Sequence, residues 1–210
     1  MTTTRILQAT PIQTTPPRSF SLDLSHRHMR DSYAGVKTEL AVISLEKKVT
    51  ELSGKELEAD IDLSGNYLGF EAAQALAEWL ESGDAPARTA LHLLANKLDD
   101  KAAKLLAKAS SSPKAPRHLT ISLGTNEITD VGAGYWAQAL KEGDSELMLS
   151  LTSNFITEKG ASELEAAQKV ARRDLVLNLA GNLLNVAKRD SEREGNVQSV
   201  ENFRRSHYGF

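Results

Sequence analysis

Five stretches of this chain repeat one pattern, and that repetition limits the possible folds more than any other feature. They are Ile61–Leu68 (IDLSGNYL), Leu91–Leu98 (LHLLANKL), Ile121–Ile128 (ISLGTNEI), Leu149–Ile156 (LSLTSNFI) and Leu177–Leu184 (LNLAGNLL). They align without gaps, and Asn66, Asn96, Asn126, Asn154 and Asn182 fall 30, 30, 28 and 28 residues apart. A fixed period of this length marks a chain of stacked units rather than one central globule. Composition agrees: aromatic residues are 5 % of the chain and hydrophobic residues 40 %, so a core must come from Leu, Ile, Val and Ala in many similar positions.

Each part of the pattern has a physical reading. The aliphatic-x-aliphatic triplet alternates with period two, which predicts a short strand with one buried face. The asparagine follows where the chain turns inward; its amide both donates and accepts, so it can satisfy backbone groups that a turn leaves unpaired. The period then changes to helical spacing, with Ala73, Leu76, Ala77 and Leu80 after Asn66 and Ala103, Leu106 and Ala107 after Asn96. Ala133, Trp136, Ala137 and Leu140 repeat it, as do Ala161 and Leu164. Gly132 and Gly160 sit just inside helix starts, where helix and strand layers are expected to approach closely. Breaker runs at Ser82–Pro86, Ser110–Pro116 and Glu142–Asp144 separate the units.

A strand plus a helix in 28–30 residues resembles the ribonuclease-inhibitor type of leucine-rich repeat. The resemblance covers residues 59–187 and implies an α/β leucine-rich-repeat solenoid, a short horseshoe. Its parallel sheet of about six strands would line a concave face with helices outside, each unit burying its apolar faces only by stacking. A degenerate sixth unit is expected upstream, because Leu22–Met29 matches Ile61–Leu68 at an offset of 39, with Arg27 in the asparagine's place. Val36, Leu40 and Ile43, and likewise Val42, Leu45, Val49 and Leu52, then recur at helical spacing. The chain thus divides into a flexible arm (1–19), an N-terminal capping repeat (20–58), the repeats (59–187) and a C-terminal capping helix with a tail (188–210). Val197, Val200 and Phe203 mark that last helix. Atypical ends suit a solenoid, whose terminal units must hide open edges. Met1–Pro17 has six threonines and three prolines and lacks the continuous apolar segment of a secretory signal.

Several function classes lose support. A net charge of −3 gives no general attraction to phosphate, so a nucleic-acid partner is not expected. No run approaches the ~20 apolar residues that cross a bilayer, and no membrane partner is expected. The absence of cysteine removes disulfides, thiolate metal sites and cysteine nucleophiles, and fits a reducing compartment such as the cytoplasm. No cofactor or metal is expected: His26 and His28 lack a third ligand nearby in sequence, and His118 and His207 fall in a loop and in the tail. Ser53-Gly54-Lys55 lacks the first glycine and the preceding strand of a phosphate loop. Asp99 and Asp100 open a helix, where capping accounts for them better than acid–base work. The chain reads as non-enzymatic.

What is left is a binding surface. Asp23, Asp62, His92, Ser122, Ser150 and Asn178, each between two strand aliphatics, should point out of the concave face, flanked by Asp60, Thr120, Met148 and Val176. The face then grades from acidic at its N-terminal end to small and neutral at its C-terminal end. Tyr67, Lys97, Glu127, Phe155 and Leu183 follow the asparagines on the loops leading off the strands. There Tyr67 and Phe155 either stand exposed as aromatic anchors or fold back onto the neighbouring repeat. Trp79 and Trp136 are expected between repeats. The functional expectation is a monomeric protein-interaction module. It binds a folded protein partner through Asp60, Asp62, Tyr67, His92, Lys97, Ser122, Glu127, Ser150, Phe155 and Asn178. The family resemblance adds inhibition of an enzyme by covering its active site. The alternative, a GTPase-activating or other regulatory accessory on the same scaffold, needs a loop arginine or asparagine that stimulates hydrolysis. Glu192, Glu194 and Glu201, with Tyr208 third from the end, resemble the glutamate-rich export tails of bacterial type IV secretion effectors. That resemblance implies delivery into a host cell, with a host protein or another effector as partner.

Overall fold

A computed structural model describes residues 18–52, 56–171 and 174–184. The arm over 1–17, the Ser53–Lys55 segment and the expected C-terminal helix and tail lie outside these residues. The elements alternate: β1 (Arg18–Asp23), α1 (Tyr33–Leu52), β2 (Leu57–Asp62), α2 (Phe70–Ser82), β3 (Arg88–His92), α3 (Asp100–Ser110), β4 (His118–Ser122), α4 (Asp130–Glu142), β5 (Glu146–Ser150), α5 (Glu158–Val170) and β6 (Leu175–Asn178). All six strands are parallel and lie in chain order in one open sheet, giving a solenoid-like α/β stack. The offset of 39 is the observed register, with Leu22 opposite Ile61. Arg18 and Ser19, expected in the arm, belong to β1 and pair with Leu57 and Glu58. Arg18 is held there by an ion pair with Glu46 on α1 at 2.8 Å and by donating its N–H to the Glu56 carbonyl at 2.9 Å.

The inward strand residues and the helix stripes form one core. Ile61, Leu91, Ile121 and Leu149 from the strands meet Leu76, Leu106, Leu140 and Leu164 from the helices, all buried. Trp79 and Trp136 are buried as well, and the Trp79 indole donates to the Ser44 hydroxyl of α1 at 2.9 Å.

The asparagines stitch neighbouring units together. The Asn96 carboxamide oxygen accepts the N–H groups of Asn66 (3.0 Å) and Leu68 (2.9 Å) in the preceding unit. Its amide donates to the Leu63 carbonyl of that unit (3.0 Å) and to the Leu93 carbonyl of its own (3.1 Å). Asn66, Asn126, Asn154 and Asn182 likewise donate both within their own unit and to the unit before. The residue before each asparagine, and before Arg27, is left-handed: His26, Gly65, Ala95, Thr125, Ser153 and Gly181 have φ between 52° and 73°. Only the glycines adopt that conformation without cost.

A second ladder joins the helix starts. Asp31 accepts the Gly69, Glu71 and Ala72 N–H groups at the start of α2. Asp100 accepts from Thr129 and Gly132 at the start of α4, and Asp130 from Thr157 and Gly160 at the start of α5. Phe70 occupies the corresponding place on α2, and α3 is capped by its own Asp99. These carboxylates fill the exposed N–H positions that every helix start leaves open. They also place the close approach at Gly132 and Gly160 between neighbouring helix starts as much as between layers. A Cβ on Gly132 would lie 2.6 Å from the Asp100 carboxylate and 3.2 Å from Ala103.

Candidate functional site

Helices cover one face of the sheet, and the strand residues that alternate away from them form three rows across the other. The row at the strand starts runs Ser19, Glu58, Arg88, His118, Glu146; the middle row Ser21, Asp60, Ala90, Thr120, Met148, Val176; the row at the strand ends Asp23, Asp62, His92, Ser122, Ser150, Asn178. The first row and most of the middle row line a shallow groove of about 560 Å³ that runs from Ser19 to Val176, with the strand-end row beside it.

Charge on this face is largely matched in place. Arg88 pairs with Glu58 at 3.4 Å, His92 Nε2 with Asp60 at 2.9 Å, and His118 Nδ1 with Glu146 at 2.5 Å. The acids at the strand ends, and the Asn178 amide, serve their own turns. Asp62 accepts the Ser64 N–H at 2.9 Å, and Asn178 the Ala180 N–H at 3.1 Å. Asp23 accepts both the hydroxyl and the N–H of Ser25. Those two hydrogen bonds, the hydroxyl's foremost, hold the Asp23 carboxyl below the usual range. The N-terminal half therefore carries acids, as expected, but acids with partners.

The C-terminal half departs from expectation. Met148 and Val176 face each other in register, 53 % and 56 % exposed, so this end is apolar rather than small and neutral. Ser122 and Ser150 lie beside them, half-buried. His118 is also corrected, from a loop residue to the first residue of β4.

The loop residues divide sharply. Tyr67 is 52 % exposed; its ring stacks on His28 with centroids 6.0 Å apart, and Lys97 Nζ lies 5.5 Å from the ring centroid. Phe155, expected to share this role, is buried at 5 %. Its N–H donates to the Ile128 carbonyl at 2.8 Å, and it forms an isolated parallel bridge with Thr129, outside the six strands. It is corrected from rim anchor to packing residue. Glu127 is half-buried, and its N–H donates to the Leu98 carbonyl. Among the residues that follow the asparagines, Tyr67 alone is left-handed, which separates it from its equivalents.

The charged row at the strand starts was not read from the sequence, yet a signal existed: Glu58, Arg88, His118 and Glu146 follow the asparagine spacing of 30, 30 and 28. Among the described residues no three of His, Asp and Glu gather as a metal site requires, and no helix is long and apolar enough to cross a membrane. No family model matches the chain, and no curated protein matches it. What the surface does must therefore be argued from its geometry.

Proposed function

We propose that the chain is a leucine-rich-repeat solenoid of the ribonuclease-inhibitor type that binds a folded protein through the open, concave face of its sheet and performs no chemistry itself. The observation that carries this reading is the exposed pair of Met148 and Val176 on that face. Parallel sheets are normally covered on both sides, and here helices cover one. Scattered surface aliphatics need no explanation, but two in register on an open sheet face offer a partner a small apolar centre. The Glu58–Arg88 and His118–Glu146 pairs give it a polar surround, the usual anatomy of a protein interface. A partner that seats an apolar side chain there and spans the groove meets Ser122 and Ser150 as hydrogen-bonding groups. Tyr67 and Lys97 form a second contact on the loop edge. When that partner is an enzyme, occupation of the groove by its active-site rim yields inhibition by coverage.

The test is affinity capture with the wild-type chain and with a Met148→Asp/Val176→Asp variant, then calorimetry on the protein retained only by the former. A one-to-one complex weakened at least about tenfold by the double substitution, or about 1.4 kcal/mol, supports the reading. Equal binding by wild type and variant refutes it. Tyr67→Ala is expected to weaken the complex less.

A further inference from the structure

The outer face of α1 carries a second apolar surface, distinct from the open face of the sheet. Val36, Leu40 and Ile43 point into the core, while Val42, Leu45, Val49 and Leu52 are 51 %, 64 %, 48 % and 90 % exposed. At about 100° per residue these four lie nearly opposite the core stripe. Tyr33 and Lys37, which reach Glu78 on α2, and Ser44, which accepts from Trp79, mark the flank that faces α2. The exposed stripe thus points outward and away from the rest of the stack. No other helix among the described residues resembles it: α2, α4 and α5 each expose one large hydrophobic residue, Phe70, Val131 and Val170, and α3 none.

The stripe has the form of a helix-pairing seam. Its residues are separated by three, four and three positions, the a/d spacing of two-stranded coiled coils, and the order is Val at a and Leu at d. Among parallel coiled coils, a β-branched a position with leucine at d favours two strands over three or four. The strip is also narrow, which suits another helix better than a broad surface. Charge distinguishes the two ways of pairing it with itself. The flank toward α2 carries Lys48 beside the Lys37–Glu78 pair, and the opposite flank carries Glu39 beside the Arg18–Glu46 pair, so the net charge is positive on the one and negative on the other. A two-fold axis parallel to the helices brings the basic flank of one copy to the acidic flank of the other. The antiparallel arrangement sets like against like.

We propose that α1 is a homodimerisation helix, pairing in parallel with α1 of a second copy through Val42, Leu45, Val49 and Leu52. The seam is short, so the dimer is weak and concentration-dependent, well below the ~1,600 Å² of a standard stable interface. It differs from the monomer expected from sequence, where both stripes of α1 are read as one capping pattern.

Sedimentation velocity on the full chain tests it. The weight-average mass should approach double the monomer value at high micromolar concentration, and Leu45→Glu/Leu52→Glu should hold it at the monomer value without altering the melting curve. The chain has no cysteine, so Leu52→Cys alone should become a disulfide-linked dimer on mild oxidation. A full chain that stays monomeric throughout overturns the proposal, and so does a double glutamate variant that still dimerises. A disulfide that forms only in a mixture of Leu52→Cys with Val42→Cys overturns the parallel arrangement.

Discussion

The capping unit and the interior repeats share one strand register but hold their turns differently. In the interior, a buried asparagine closes its own turn and the turn of the unit before it. In the cap, Arg27 stands exposed in that position, and the turn runs through three left-handed residues, His26, His28 and Arg30. Asn66 supplies the help from the other side by accepting the Met29 N–H at 3.3 Å and donating to the Leu24 carbonyl at 2.7 Å. Among the described residues no unit pairs with β1 on its other side, so half of the asparagine's work has no described counterpart there. The helices differ in the same sense. α1 has 20 residues and two apolar faces, whereas α2 to α5 have 11 to 13 and expose mainly polar surface.

The largest expected effect follows from that contrast. Asn96→Ala strands the Asn66 and Leu68 N–H groups in a buried site, while the Leu63 and Leu93 carbonyls keep Asn66 and Asn126 as donors; it should cost about 2–5 kcal/mol at a penalty of ~1–3 kcal/mol per stranded group, partly relieved by water. Arg27→Ala should be close to neutral. Urea unfolding of both variants measures the gap, and equal losses would break the distinction between end and interior.

Next in size is a pair of glycines on one helix. Gly132→Ala meets Asp100 and Ile128 side-chain atoms at 2.6 Å and should destabilise by about 1–3 kcal/mol. Gly134→Ala, two residues on, finds only the Glu163 carboxylate at 3.4 Å. It should stabilise α4 by about 0.5–1 kcal/mol. Opposite signs in thermal melts confirm that the close contact belongs to the junction between units rather than to the helix itself.

A smaller gain is expected at the turns. Ala95→Gly relieves a left-handed alanine at φ 53°, worth ~1–2 kcal/mol, less the entropy the unfolded chain regains. The net is about 0.5 kcal/mol of added stability, read from the urea midpoint. Gly65→Ala should lose stability, since its Cβ would lie 2.3 Å from the His26 ring.

The smallest effect concerns the contact between cap and first repeat. The Tyr33 hydroxyl is the main reason the Glu78 carboxyl titrates below its ordinary value and the Lys37 ammonium above its own. A carboxyl depressed in the folded state stabilises above its unfolded pKa, and that contribution is lost as pH falls through the folded value. Tyr33→Phe should move Glu78 upward and Lys37 downward in an NMR titration, and shrink Glu78's share of acid destabilisation. Unmoved titrations would show that the exposed cluster does not persist in solution.

Much of the fold was legible because each unit states the same rule again. Five asparagines place five strands and the turns after them, and residues such as Ala103 and Leu164 declare their buried side by spacing alone. The surface was less legible because its properties depend on neighbours in space. Phe155 and Tyr67 occupy the same position in the pattern; one bridges Thr129 and is buried, while the other turns left-handed and stays exposed. The His92–Asp60 pair is a diagonal contact between strands, invisible until the register is known. On α1, spacing reveals two stripes but does not say which one the core takes.

The asparagine ladder also bears on how such an array can change in length. Every rung spans one unit and the next, and its partners are backbone groups at matching positions of each. Removing one whole period, from one asparagine to the residue before the next, joins a rung to a set of donors and acceptors like those it lost. Removing any fraction of a period leaves both sides of the junction mismatched. The array is therefore quantised: it tolerates growth and loss in whole units and resists every length in between.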